Sequence, residues 1–195
     1  MNAEVRELPL FPLNAVLFPG GPLPLRIFEP RYLDMVSQCM REQSGFAVVL
    51  LGEGEEVASA MTFAATGTEA RIVDFDRLEG GLLGISCIGV ERVRVVEAWR
   101  QADGLNRGRV LDIAADPVVP VPPGQAWLTE MVAQVLPEAG DAYQHVERRD
   151  DAAWVSNRLA EMLPLALGDK QALLELSDPL ERLAALEPAV TRNRG

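Results

Sequence analysis

The chain has 195 residues, 48% of them hydrophobic and 24% charged, with 29 acidic against 18 basic side chains and a net charge of −11. That is enough apolar content to build the core of one domain or two small ones, and it excludes a disordered chain. There is one lysine, and Arg92/Arg94, Arg107/Arg109 and Arg148/Arg149 stand as isolated pairs, so no basic face forms and the charge argues against nucleic acid as a partner.

The opening stretch from Leu8 to Tyr32 sets Pro9, Pro12, Pro19, Pro22, Pro24 and Pro30 among Leu, Phe, Val and Ile. Proline cannot donate to a β-ladder, so this reads as short edge strands joined by turns, with Phe18-Pro19-Gly20-Gly21 the sharpest. At Glu29-Pro30 the period changes. Pro30 suits the first helical position, Glu29 the positive end of the dipole, and Leu33, Val36 and Met40 recur at helical spacing until Gly45. This helix is expected to cover one mouth of a barrel. Phe46 to Leu51 is a continuous apolar run, as in a strand buried on both faces.

The acidic loop 52–56 has glycines, but no G-K-[ST] follows, so it is no phosphate cradle. Thr62 to Phe75 alternates as a strand, and Glu79-Gly80-Gly81 signals a hairpin. Leu82 to Ala98 follows as a long strand, with Ile85, Val90, Val93, Val95 and Val96 as core candidates and Gly84 and Gly89 as bulges or bends. Arg109 to Ala114 is one more strand. Six or so strands with one helix predict a small, partly closed β-barrel over 1–116.

Asp116 to Gly124 carries Pro117, Pro120, Pro122 and Pro123 and reads as a stiff linker over 117–124. Beyond it, over 125–195, the period is helical: Ala126–Leu136, Asp151–Leu163 with Trp154, Val155, Leu159, Met162 and Leu163, then Lys170–Leu176. A helix capped by Asp178 with Pro179 at its start carries Leu180, Leu183 and Leu186.

Catalytic chemistry is thinly supplied. His145 is the only histidine and sits among polar residues. Glu55/Glu56, Asp74/Asp76 and Asp150/Asp151 are adjacent or alternate acids of the kind that stay solvated rather than splitting their pKa values. Cys39 and Cys87 read as buried free thiols, and Lys170 as a structural side chain. No metal or cofactor is expected. The N-terminus, with early acids and prolines, does not read as a signal peptide, and no apolar run is long enough to span a bilayer, so a cytoplasmic protein is expected. Phe11, Phe18, Phe28 and Tyr32 gather in the opening stretch, and an open barrel also has edges on which an extended peptide can add as a strand.

These motifs together resemble the N-terminal substrate-binding domain of Lon proteases. Pro12, Leu13, Val16, Phe18, Pro19, Pro24 and Leu25 stand in that family's P-L-x-x-V-x-F-P-x-x-x-x-P-L pattern. Thr66-Gly67-Thr68-Glu69-Ala70 resembles its V-G-T-x-A strand, and Gly89 to Val95 its G-x-E-R-x-R-V segment. Lys170 to Glu175 and Glu181-Arg182-Leu183 resemble its K-Q-x-x-L-E and E-R-L helices. The resemblance implies an α+β fold, a PUA-like six-stranded pseudobarrel with one covering helix followed by a C-terminal helical bundle. It implies substrate recognition without catalysis, since no G-x-x-x-x-G-K-[ST] ATPase motif is present. A polypeptide-binding module contacting its partner through Phe28, Glu29, Arg31 and Tyr32 is therefore expected. Two alternatives stay open. One is a small hydrolase or isomerase joining Asp74 or Glu91 to His145 between barrel and bundle; the other is a PUA-like RNA-binding module.

Overall fold

A computed structural model of the chain describes residues 5–52, 63–136 and 150–193, which form two compact units, Met1–Ala114 and Ala115–Gly195. In the first, β1 (Val5–Leu13), β2 (Pro22–Ile27), α1 (Pro30–Glu42), β3 (Phe46–Leu51), β4 (Phe63–Arg77), β5 (Leu83–Arg100) and β6 (Asn106–Asp112) follow in order. The strand order is β2-β5-β4-β3-β1-β6, and β6 also pairs with β5, so five strands close on themselves and β2 hangs on the outer half of β5. Among the described strands only β1 and β3 pair in parallel, which is why β2 and α1 intervene between them as a crossover.

β5 shifts register against β4 beside Gly89. The Phe18–Gly21 turn docks there: Gly20 donates its N–H to the Gly89 carbonyl (2.7 Å), and Gly89 donates to that of Gly21 (2.9 Å). A Cβ on Gly89 would lie 2.4 Å from the Phe18 carbonyl oxygen, so only glycine admits this approach. The Thr68 hydroxyl, donating to the Leu17 carbonyl (2.5 Å), pins the same turn to β4. Gly84 is not at a bulge. It pairs regularly with Arg26 and Asp76, and its missing side chain makes room for Leu78.

The barrel interior is filled by Leu8, Leu10, Ala47, Val93 and Val110. A second cluster joins α1 to the sheet through Phe11, Ile27, Tyr32, Met35, Val36, Cys39, Phe46 and Ile85. The covering helix is thus present, but its buried stripe is Tyr32, Met35, Val36 and Cys39, while Leu33 and Met40 face solvent. A one-residue change of phase turns a helix by about 100°, and the tight Glu29-Pro30 entry aims Tyr32 rather than Leu33 inward. Gln43 adopts the left-handed conformation that ends α1 (φ 52°). Gly45 instead permits close packing on β4, where a Cβ would meet Glu69 and the Ala70 carbonyl.

In β5, Ile85 and Val93 are buried as expected, but Val90 and Val96 are exposed. Register shifts against β4 between Thr68 and Ala70, and against β6 between Val95 and Glu97, break the two-residue period. β6 starts three residues before the expected Arg109, at Asn106, where it completes the hairpin with β5. Glu69 is a charged residue buried in the sheet. It takes ion pairs from Arg6 (2.5 Å) and Arg71 (2.7 Å), and Arg6 also binds Asp112 (2.7 Å), tying β1, β4 and β6 together.

The second unit contains α2 (Ala126–Val135), α3 (Ala152–Met162), α4 (Leu167–Glu175) and α5 (Pro179–Asn193), packed through Leu128, Val132, Val155, Leu159, Leu174, Leu183, Leu186 and Val190. Asp151 caps α3 by accepting the Ala153 N–H (3.0 Å), and Asp178 accepts from Leu180 N–H (2.8 Å) at the start of α5. α4 begins at Leu167, ahead of the expected Lys170. The proline run does not stand free. Val119 accepts from Ala152 N–H (2.8 Å), Val121 donates to the Asp150 carbonyl (3.0 Å), and Pro120 bridges Asp151, so these residues belong to the helical unit.

Candidate functional site

The corner between β2 and α1 carries the four expected contact residues. Ile27 is buried at the end of β2, and Pro30 starts α1, so the two residues between them must turn outward. Glu29 holds an extended conformation (φ −78°, ψ 132°), and its carbonyl accepts the N–H groups of Tyr32 (3.0 Å) and Leu33 (3.1 Å). Its carboxylate does not cap the helix. It pairs with Arg31 at 2.5 Å.

Arg31 in turn donates to the carbonyl of Gly104 (3.1 Å), as does Arg100 (3.3 Å). Gly104 sits in the β5–β6 loop with φ 85°, a left-handed conformation that favours glycine. The loop is thereby clamped to the corner. Arg31 also lies over the Tyr32 ring, 4.9 Å from its centroid, a cation–π arrangement.

The structure sorts the four residues into two layers. Phe28 is 68% exposed, Glu29 and Arg31 are half-buried around it, and Tyr32 is only 9% exposed. The Tyr32 ring packs on Phe11 with centroids 4.2 Å apart, and burial pushes its hydroxyl pKa up. Tyr32 is therefore the floor of the corner and Phe28 its protruding side chain. Chemically the corner offers an apolar knob beside a compensated ion pair.

The groups considered for catalysis fall elsewhere. His145, Arg148, Arg149, Glu55 and Glu56 lie outside the described residues. Asp74, Asp76 and Glu91 are exposed, while Asp151 is spent on its helix cap. Lys170 donates to the Glu161 carbonyl (2.8 Å) and its pKa is lowered by burial. Cys39 and Cys87 are free and buried; burial raises both thiols, Cys87 to about 12, so neither is a thiolate at neutral pH. Among the described residues no group of three or more His, Cys, Asp or Glu is placed to hold a metal ion, and no helix is long and apolar enough to cross a membrane.

Sequence reasoning missed two buried charged clusters, Glu69 with its arginines and Arg182 in the helical unit. Both stand inside the motifs that carry the resemblance, at Thr66–Ala70 and Glu181–Leu183. A charge in an otherwise apolar alternation was the available signal.

Comparison with known proteins agrees with this fold. Residues 7–192 match the family described as the ATP-dependent protease La (LON) substrate-binding domain. The structure is similar to that of a Lon N-terminal domain protein from Xanthomonas campestris, with a TM-score of 0.79 and 38% identity over 94% of this chain and 98% of that one. The N-terminal domain of Mycobacterium avium complex Lon protease shares the fold, with a TM-score of 0.64 at 17% identity over 95% of this chain and 98% of that one. Lon protease 2 of Myxococcus xanthus is 28% identical over 195 residues, which is 96% of this chain and 24% of that protein. Protein cereblon of Danio rerio is 33% identical over 123 residues, 61% of this chain and 28% of that protein. The chain thus spans about a quarter of the length of these curated relatives. By its sequence from residue 7 to 192 and by the α+β fold of its described residues, six strands and five helices, the chain belongs to the LON substrate-binding domain family.

Proposed function

We propose that this chain is a non-enzymatic, cytoplasmic module that binds exposed apolar segments of polypeptides through the corner formed by Phe28, Glu29 and Arg31 on the Tyr32 floor. Its membership in a substrate-binding family carries the reading. Phe28 supports it, because a 68% exposed aromatic on a clamped corner keeps apolar area in water that a partner would cover. Two free thiols fit a reducing compartment.

Binding of a permanently unfolded polypeptide, such as reduced and carboxymethylated lactalbumin, tests this by fluorescence anisotropy. Phe28→Ala is expected to weaken binding by about 2 kcal/mol, roughly 30-fold, as removal of an anchoring aromatic does. The polypeptide should be recovered intact. Equal binding by wild type and Phe28→Ala would show that the corner is not the contact, and no binding by wild type would overturn the function.

A further inference from the structure

The sheet has two edges of opposite character. β2 pairs with β5 on one side, and its free edge carries Pro22 and Pro24, which have no N–H to offer. β4 is different. Its pairing with β3 ends at Ala70, yet the strand continues to Arg77, bonded among the described residues to β5 alone, with a register shift between Ile72 and Asp74. From Ile72 to Arg77 there is no proline, and Val73 and Phe75 are each 57% exposed.

The donors along this edge are already engaged, but not by a strand. Phe75 donates its N–H to the Asp74 carboxylate (2.9 Å), and Arg77 donates to Asp76 (2.7 Å). Alternate residues of a strand present their N–H groups to the same side, so these two donors belong together. An open hollow of about 350 Å³ lies over β5 between β2 and β4, lined by Pro24, Arg26, Asp74, Asp76, Leu78 and Ser86, with side-chain-free Gly84 among its walls.

We propose that Ile72–Arg77 is a strand-addition site for extended polypeptide segments that alternate basic and apolar residues. The proposal rests on the reading of this chain as a polypeptide-binding module and names the segment class and the edge. An incoming strand offers its carbonyls to the Phe75 and Arg77 N–H groups. The displaced Asp74 and Asp76 carboxylates turn to the segment's Lys or Arg side chains. Its apolar residues cover Val73 and Phe75. Each hydrogen bond lost is replaced, so apolar burial and charge pairing drive the exchange.

A neutral or acidic segment offers the carboxylates no partner and faces them with its own carbonyl oxygens, which discriminates against it. A second copy of this chain is disfavoured for a related reason. Antiparallel pairing about Asp74 sets Asp74 against itself and Arg71 against Arg77, like charges directly opposite. The net charge of −11 further attracts basic segments.

The test uses the full chain and labelled heptapeptides with Lys, Ser or Glu at odd positions and Val or Phe at even ones. Anisotropy should rank the Lys peptide first, about tenfold or more above the Ser peptide at low salt, with the Glu peptide weakest. N-methylation of alternate backbone amides in one of the two registers should abolish binding of the Lys peptide, and hydrogen exchange at the Phe75 and Arg77 amides should slow in the complex. Asp74→Asn with Asp76→Asn, checked for an unchanged melting temperature, should weaken the Lys peptide by about tenfold, as loss of facing charges does.

Equal binding of the Lys and Ser peptides, or insensitivity to both N-methylation registers and the double variant, would overturn the proposal. If Phe28→Ala weakens binding while the edge changes do not, this edge is wrong and polypeptide binding stands. If neither unfolded polypeptide nor any peptide binds wild type, the underlying reading fails.

Discussion

Arg182 and Asp116 face each other at 2.7 Å in the helical unit, and both side chains are almost wholly inaccessible. The same guanidinium donates to the Leu173 carbonyl (2.9 Å), to that of Leu176, and to the Ser156 hydroxyl (3.3 Å). One side chain thus ties α3, α5, the loop after α4 and the segment entering the unit. Breaking a buried pair is costlier than replacing it, because the survivor keeps its charge in the interior without that partner. Arg182→Met should therefore destabilise by ~3–5 kcal/mol, and adding Asp116→Leu should restore part of that loss. Urea unfolding followed by the fluorescence of Trp127 and Trp154 measures both; additive losses would contradict the pairing.

Gly89→Ala tests how the opening segment is anchored. The new methyl would press on the Phe18 carbonyl, a backbone atom that cannot rotate away, so a loss of ~1–3 kcal/mol is expected, as for other overpacked sites. Gly124→Ala is the control, since nothing lies within 4 Å of its Cβ position. Thermal unfolding of the two variants should show a lowered midpoint for the first alone.

The corner itself permits a separation of binding from stability. Tyr32→Ala removes a buried ring stacked on Phe11 and should cost ~3–5 kcal/mol of folding stability. Phe28→Ala, at an exposed position, should change stability by no more than ~0.5 kcal/mol while weakening polypeptide binding. A large stability loss in Phe28→Ala would mean that the ring is structural.

The thiols give a pH dependence of defined sign. Cys87 rises by burial from an ordinary 9.0 to about 12, so the folded chain keeps a proton that the unfolded chain releases. Its contribution to stability is whole below pH 9 and is lost as pH climbs from there toward 12, with a limiting slope of ~1.4 kcal/mol per pH unit. Tyr32, also raised, adds to this slope, and Lys170, lowered, opposes it. The difference between wild type and Cys87→Ala isolates the thiol. Denaturant midpoints from pH 8 to 10 should converge with the variant as pH rises; parallel curves would contradict the assignment.

Much of this architecture was legible in the chain. Prolines that cannot donate marked the opening stretch as edge and turn, which holds for β2 but not for β1, whose first half pairs with β6 and second half with β3; Pro30 marked the start of α1, and the hairpin at Glu79-Gly80-Gly81 was set by two glycines that take positive φ. Apolar periodicity separated the strands from the helices. These are local properties, carried by one residue's backbone or by spacing along one element.

Phase and pairing were not legible. Whether Leu33 or Tyr32 faces the sheet depends on the entry angle at Glu29, and whether Val90 is inside depends on which residues of β4 stand opposite it. Glu69, Arg158 and Arg182 read as surface charges until their partners close around them, since a buried charge is tolerable only when paired. Likewise the sequence marked Phe28 and Tyr32 alike as aromatics of the corner, and packing on Phe11 made one a floor and left the other exposed. Among the described residues β3 stops pairing at Ala70 while β4 runs on to Arg77, a relation between two segments that no single element's pattern shows. Elements, their order and the family follow from residue types and their spacing along the chain; which side of each element meets a neighbour follows from packing alone, because burial is a property of pairs of elements.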